Sequence, residues 1–142
     1  MLMASVVFAM LINAVAGTPA PSARLSPKCM YPVSVAQHLA WSEVVFSGRV
    51  IEIRKDGEGE EVRLRVFKSW KNVRSAEVTL TNDPESEAGT RYQVGESYLV
   101  FANGSQEKPS TGACSHVPVL RYASKEMKEL NRLLVRHKKN RS

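Results

Sequence analysis

Residues 44–54 read Val-Val-Phe-Ser-Gly-Arg-Val-Ile-Glu-Ile-Arg, and this stretch decides the fold class. Its many β-branched residues are typical of a strand, and from Val50 onward apolar and polar residues begin to alternate. Gly48 lies inside the run, and a glycine within a strand predicts a bulge or a sharp coil. A strand that bends in this way can serve both sides of a small barrel.

A second strand is expected at residues 62–67, where apolar and charged residues alternate strictly. The turn-forming residues 56–59, Asp-Gly-Glu-Gly, precede it and predict a hairpin with the first strand. Residues 98–102, Tyr-Leu-Val-Phe-Ala, are apolar throughout, which predicts a strand buried on both faces. Further strands are predicted at residues 76–81 and near residues 117–120.

Helices are predicted at both ends of this strand region. Ser34 and Gln37 have the Ser-x-x-Gln spacing of a capping box, so a short helix should run from there to about Trp41. Ser124 is the expected N-cap of a C-terminal helix. The apolar residues of that helix recur at helical spacing and are Met127, Leu130, Leu133 and Leu134. The predicted fold class is mostly β, a five-stranded OB-like closed barrel with a short N-terminal helix and a C-terminal amphipathic helix.

The chain begins with a short apolar, uncharged run that ends in Ala-Val-Ala at residues 14–16. We interpret residues 1–16 as a secretory signal peptide, and a second cleavage site is available after Ala23. The alternative is an uncleaved anchor, although the run is shorter than the roughly 20 residues of a spanning helix. Residues 17–28 contain three prolines and are expected to form an extended lead-in. This interpretation predicts a secreted or extracytoplasmic protein with no transmembrane segment after signal removal.

The two cysteines, Cys29 and Cys114, are interpreted as one disulfide, because an exported chain with an even cysteine count favours pairing. Closing this long loop would stabilise the fold by roughly 4–5 kcal/mol. The alternative is a reactive or metal-binding thiol pair, but neither cysteine has neighbours at metal-ligand spacing. We expect one domain at residues 29–135, followed by a basic tail at residues 136–142.

The net charge of +6 originates at the C-terminus. From Arg121 onward the chain has eight Lys or Arg residues and two Glu residues, which accounts for the whole excess. A basic helix face would attract anionic wall polymers, glycans or lipid headgroups. The alternative is a solvated helix end whose cations complement the helix dipole. The candidate residues for an anionic surface are Lys128, Arg132, Arg136, Lys138, Lys139 and Arg141.

The sequence shows no catalytic pattern. It lacks a Ser-His-Asp arrangement, paired carboxylates and a glycine-rich phosphate loop, so we expect neither an enzyme nor a bound metal or cofactor. Aromatic residues in an OB-like barrel can stack nucleic-acid bases. Since the chain is expected to be exported, we favour a core role for them and predict no nucleic-acid partner. The aromatic residues considered are Trp70, Tyr92, Tyr98 and Phe101.

Five segments occur in a characteristic order along the chain. The most specific is Tyr-x-x-Gly-x-x-Tyr-Leu-Val at residues 92–100, which is followed by Thr-Gly-x-Cys at residues 111–114. The others are Cys29, Val-Phe-Ser-Gly-Arg-Val at residues 45–50 and Val-Phe-Lys-Ser-Trp-Lys at residues 66–71. This order resembles the netrin-like domain, and in particular the tissue inhibitors of metalloproteinases and their bacterial and animal relatives. The resemblance implies an OB-like barrel with flanking helices.

The resemblance also implies a protein-binding function, with a metalloprotease as the family's partner. In those inhibitors an N-terminal Cys-x-Cys chelates the protease's zinc and displaces its bound water. Here Cys29 matches the second of those cysteines, Pro27 occupies the position of the first, and Ala88 replaces its disulfide partner. The zinc-chelating residue is therefore absent from the matched position. The corresponding protease-contact ridge would consist of Cys29, Met30, Tyr31 and Pro32.

Overall fold

The computed structural model describes residues 34–86, 89–113 and 115–141. In chain order the elements are α1 (Val35–Trp41), β1 (Val44–Asp56), β2 (Gly59–Lys71), β3 (Glu77–Asn82), β4 (Ser97–Gly104), β5 (Pro109–Thr111), a 3-10 turn (Leu120–Tyr122) and α2 (Ser124–Arg141). The predicted signal peptide, lead-in, protease-contact ridge and Cys29–Cys114 disulfide involve residues 1–32 and Cys114, which lie outside the described residues, as does Ala88 at the position of the family's further cysteine.

The five strands close into a barrel in the order β1-β2-β3-β5-β4. β1 completes the closure because it pairs with both β2 and β4. Neighbouring strands are antiparallel except for β3 and β5, which are parallel. The predicted fold class is confirmed: the chain is mostly β, with a closed five-stranded OB-like barrel, the short α1 near the N-terminus and α2 at the C-terminus.

The bend predicted at Gly48 is present in β1. The pairing of β1 with β2 shifts register between Ser47 and Gly48, and again on either side of this point. A Cβ atom at Gly48 would lie 2.6 Å from the backbone oxygen of Arg65, so a larger residue would force the two strands apart. The glycine therefore lets β1 stay close to β2 while its first half, from Val44 to Arg49, pairs with β4.

Apolar side chains form two layers, one inside the barrel and one between the barrel wall and the helices. β4 contributes to both, because Tyr98 and Val100 lie in the inner layer while Leu99 and Phe101 lie in the outer layer. This alternation explains why every residue from 98 to 102 is buried, as the sequence predicted. The outer layer also contains Val45, Trp70, Ala123 and Leu130, with Val35, Leu39, Leu120, Met127 and Leu134 packed against it.

The prediction of a fifth strand near residues 117–120 is wrong. β5 is instead Pro109–Thr111, which pairs with β3 and β4. Three residues that begin with proline are too few to show an apolar alternation, so the sequence pattern did not reveal this strand. The segment after Cys114 still runs along β4, but it forms only isolated bridges at His116 and Val119. Pro118, which has no N–H group, lies between those bridges and interrupts the ladder.

The helix predictions hold with one correction. Ser34 and Gln37 form the predicted capping box, and α1 ends at Trp41. Ser124 is the first residue of α2 rather than its cap, since the carbonyl of the preceding Ala123 accepts the first helical hydrogen bond, from the Met127 amide at 3.0 Å. The predicted apolar stripe of α2 faces the barrel, and the expected tail continues α2 as far as Arg141.

A buried polar network ties β3 to β5 at one end of the barrel. Asn82, the last residue of β3, accepts a hydrogen bond from the hydroxyl of Thr111 at 2.7 Å. The Tyr92 hydroxyl lies 3.1 Å from the same Thr111 oxygen, and burial raises the pKa of Tyr92. The amide of Asn82 donates to Glu60 and to the carbonyl of Thr90, at 2.9 Å each. The short parallel pair is thus supported by side chains as well as by its backbone.

Candidate binding surface on the C-terminal helix

Five cations share the outer face of α2. Their spacing of three or four residues places them on one side of a helix with 3.6 residues per turn, opposite the buried Leu130. All five are exposed. From the first to the last the face is about 21 Å long, at about 1.5 Å per residue. We call this set the basic stripe: Lys125, Lys128, Arg132, Arg136 and Lys139.

The rotation of α2 is set by contacts to β2. The Asn131 side-chain oxygen accepts the indole N–H of Trp70 at 2.9 Å and the ammonium group of Lys68 at 2.6 Å. Lys68 also lies over the Trp70 ring, with its nitrogen 5.3 Å from the ring centre. Together with the burial of Leu130, these bonds keep one face of α2 on the barrel. The basic stripe is therefore held towards solvent.

One carboxylate lies at the edge of the basic stripe. Glu129 forms a two-point ion pair with Arg132, whose Nε is 3.0 Å from one carboxylate oxygen. This hydrogen bonding holds the pKa of Glu129 below its usual value. The pair orients the Arg132 guanidinium along the helix surface.

The structure separates the six candidate residues into two groups. Lys128, Arg132, Arg136 and Lys139 belong to the basic stripe. Lys138 and Arg141 are exposed as well and lie in the last turn of α2. The helical repeat places them on the side of the helix nearer to Leu134, and not on the basic stripe.

The candidate list omitted Lys125. Its position three residues before Lys128 is the signal that identifies it, because i and i+3 residues are neighbours on a helix.

A shallow apolar groove separates α2 from α1. Its volume is about 500 Å³, and its floor is formed partly by Trp70. Lys71 spans its edge, since its ammonium group donates to the carbonyls of Leu39 at 2.9 Å and Ala40 at 3.3 Å, near the C-terminal end of α1. We call this the interhelical groove, and it is lined by Ala36, Leu39, Ala40, Trp70, Lys71, Leu133, Leu134 and His137.

Two histidines connect α1, β4 and α2. The His38 ring stacks on His116 with centres 4.6 Å apart, and both rings contact Phe101. His116 Nε2 lies 2.6 Å from a carboxylate oxygen of Glu126 in the first turn of α2. Burial lowers the pKa of His38, and His116 lowers it further, while Glu126 opposes the shift. In the described part of the chain no three His, Cys, Asp or Glu side chains are grouped so as to hold a metal ion.

The four aromatic residues considered for base stacking are core residues. Trp70, Tyr92, Tyr98 and Phe101 are each 7 % exposed or less. They therefore present no ring faces for stacking at the surface. The outer surface of β1, β2 and β3 has oppositely charged neighbours instead, since Arg63 of β2 contacts Glu52 of β1 and Glu77 of β3.

No protein-family model matches the chain, and no curated protein matches it significantly. Among the described helices, none is both long enough and apolar enough to cross a membrane.

Proposed function

We propose that this chain is a secreted binding module, and not an enzyme, that attaches to anionic polymers, glycans or lipid headgroups through the basic stripe. The observation that supports this proposal is the outward orientation of five cations on one helix face whose rotation is set by Asn131 and Leu130. A regular row of anions could contact several of these cations at once.

The physical basis is additive electrostatic attraction. A Lys or Arg near an anionic membrane surface contributes about 1 kcal/mol, and the attraction extends for about one Debye length. Five cations on a rigid helix lose less orientational freedom on binding than the same cations on a flexible chain. Affinity should therefore be strong at low salt and fall steeply as salt rises.

The proposal is tested by comparing two triple variants with the same net charge. One replaces Lys125, Lys128 and Arg136 of the basic stripe by Gln, and the other replaces the exposed Arg49, Lys55 and Arg65 of β1 and β2 by Gln. Each variant loses three positive charges. The measurement is the salt concentration that elutes the protein from immobilised heparin, with sedimentation on vesicles containing anionic lipid as a second readout.

The stripe variant should elute at much lower salt, and the barrel variant should elute close to the parent chain. If the elution salt concentration falls by the same amount for both variants, the attraction reflects net charge alone and the proposal of a defined surface fails. If neither changes, the basic stripe is a solvated helix face.

The second candidate function is protein binding of the netrin-like kind, including inhibition of a metalloprotease. The five-stranded barrel with a helix ahead of β1 supports this candidate, because the resemblance implies that architecture. In the sequence, the predicted ridge ends at Pro32, two residues before Ser34, which is the N-cap of α1. Without a cysteine at the position of Pro27, inhibition would have to rely on contacts of the ridge rather than on the family's chelating residue.

Two measurements separate this candidate from the first. Mass spectrometry of the mature chain locates its N-terminus, and only an N-terminus at Cys29 would provide a free amine for zinc chelation. Assays against a panel of metalloproteases test inhibition directly. Full protease activity at high molar excess of the purified chain would exclude this function, and it would leave binding through the basic stripe unaffected.

A further inference from the structure

The interhelical groove has the lining of a small-ligand site. Its apolar surface comes from three elements: Leu39 of α1, Trp70 of β2, and Leu133 and Leu134 of α2. Ala36 and Ala40 form the α1 edge, where their small side chains leave the groove open. Aliphatic and aromatic walls with a few polar groups are typical of sites that hold small organic molecules.

Lys71 carries the one formal charge among the residues that line the groove. Lys71 and His137 line it, and none of its lining residues in the described chain is acidic. Two carbonyls at the end of α1 fix the Lys71 ammonium, which has three N–H donors and uses two on those carbonyls. The remaining donor direction provides a cationic contact beside an apolar surface. This combination is complementary to a ligand with an anionic head and an apolar body.

The size of the groove favours a small ligand over a protein. Its volume of about 500 Å³ lies within the range of about 300–1,000 Å³ that is common for small-molecule pockets. A stable protein partner would bury roughly 800 Å² on this side, which requires a much wider surface than eight lining residues provide.

We propose that the interhelical groove binds a single-chain anionic amphiphile of the long-chain carboxylate class. The acyl chain lies against Leu133, Leu134 and Trp70, and the carboxylate contacts the ammonium group of Lys71. This site lies on the flank of α2 that faces α1, whereas the basic stripe faces away from the barrel. The two sites use different residues, so either can be removed without removing the other.

Tryptophan fluorescence gives a direct test, because the chain contains only Trp41 and Trp70. Trp41 is 63 % exposed and Trp70 is 7 % exposed. In the full chain with Trp41→Phe, the emission of Trp70 reports on the floor of the groove. Titration with sodium laurate below its micelle concentration should change this emission with saturation at one ligand per chain. Dodecyltrimethylammonium, which has the same chain length and a cationic head, should bind at least tenfold more weakly.

Two variants in the Trp41→Phe background locate the site. Ala40→Leu adds a side chain at the exposed groove edge and should weaken laurate binding by about tenfold or more, because it occupies the volume that the chain would fill. Lys71→Met keeps the aliphatic stem and removes the charge, and it should weaken binding about tenfold, as expected for a hydrogen bond to a charged group. Lys55→Met is the matched control, because Lys55 is exposed at the far end of β1 and should leave binding unchanged.

Lys71→Arg is the control for a purely structural effect, because it keeps a cation at the groove edge. It should retain most of the laurate binding. Circular dichroism checks that each variant is folded. Equal responses to laurate and to the cationic amphiphile, or unchanged laurate binding by Ala40→Leu, would overturn the proposal. So would a Trp70 emission that changes with protein concentration alone, since a second copy of the chain would then cover the groove. Loss of heparin binding in the stripe variant has no bearing on these outcomes.

Discussion

The barrel has two walls with opposite outer surfaces, although β1 and β2 contribute to both. On one wall the outward side chains are apolar and lie beneath α1 and α2, and they are Val45, Trp70, Leu99 and Phe101. On the other wall they are charged: Arg63, Arg65 and Glu77 are exposed, and Glu52 is partly exposed. We call these the helix-covered wall and the open wall.

The two walls also differ in how charge is arranged on their outer surfaces. On the open wall Arg63 pairs with Glu52 at 3.0 Å and with Glu77 at 3.9 Å, so charges of both signs are neighbours there. On the helix-covered wall the helices bury the apolar strand residues and then present new surfaces of their own. The basic stripe lies on α2 and carries five cations, whereas the interhelical groove lies between α1 and α2, is mostly apolar and has Lys71 of β2 at its edge.

The largest expected effect of a single substitution is on the helix-covered wall. Phe101→Ala should lower the free energy of unfolding by about 3–5 kcal/mol, because Phe101 is 2 % exposed and its ring packs within the outer apolar layer. Phe67→Ala is the matched control, since Phe67 lies on β2 and is 55 % exposed. It should change the free energy by less than about 1 kcal/mol. Urea denaturation of both variants gives the comparison.

Similar losses for the two phenylalanine variants would contradict the distinction between the walls. A small loss for Phe101→Ala alone would mean that α1 and α2 contribute little to the stability of the barrel. Hydrogen exchange of the helix amides would then be expected to be fast in the parent chain as well.

A smaller and pH-dependent effect is expected at His38, where α1 meets the helix-covered wall. Burial and His116 lower the pKa of His38, so the folded chain favours the neutral imidazole. The unfolded chain therefore binds more protons, and stability falls as pH decreases. The contribution of His38 to stability is fully present above its unfolded pKa of 6.5, and it is lost as the pH falls through the lower pKa of the folded state.

The test compares the urea midpoints of the parent chain and His38→Gln between pH 5 and pH 8. The parent should lose more stability towards pH 5 than the variant, because Gln cannot be protonated in this range. Glu126→Gln is a useful companion, since it removes the only carboxylate that the structure places against this histidine pair among the described residues. Glu126→Gln should make stability fall more steeply at low pH, because Glu126 opposes the lowering of the His38 pKa. Identical pH profiles for the parent and His38→Gln would contradict the expected role of His38.

The main elements of the fold could be predicted from the sequence because their patterns are local. The alternation in residues 62–67 identified β2, and the uninterrupted apolar run at residues 98–102 correctly predicted a strand covered on both sides. The capping box at Ser34 and the bulge at Gly48 could also be predicted from the sequence, since the first depends on neighbouring residues and the second on one special residue type.

Features that depend on distant contacts could not be read in this way. β5 is held by its pairing with β3 and β4, by the hydrogen bond that the Thr111 hydroxyl donates to Asn82 and by the contact of Thr111 with the Tyr92 hydroxyl, rather than by any sequence pattern of its own. The interhelical groove requires the side-by-side placement of α1 and α2, which the sequence does not encode as a motif. The basic stripe was partly predicted, because helical spacing is local, but its orientation depends on Asn131 and Trp70.

The smallest effects are expected on the open wall, where two neighbouring arginines on β2 differ in the charges around them. Arg63→Gln removes two ion pairs whose side chains are 40 % exposed or more, and solvent screening should limit the loss to less than about 1 kcal/mol. Arg65→Gln is the matched change two residues away. Arg65 lies opposite Arg49 in the β1–β2 register and opposite Glu77 in the β2–β3 register, so its removal relieves one like-charge contact and loses one opposite-charge contact, and it should change stability less than Arg63→Gln does. Both differences should shrink in 1 M salt, because screening weakens attraction and repulsion alike. If Arg63→Gln instead costs several kcal/mol and salt does not reduce the loss, its ion pairs are structural supports of the barrel, and the open wall resembles the helix-covered wall more than its exposure indicates.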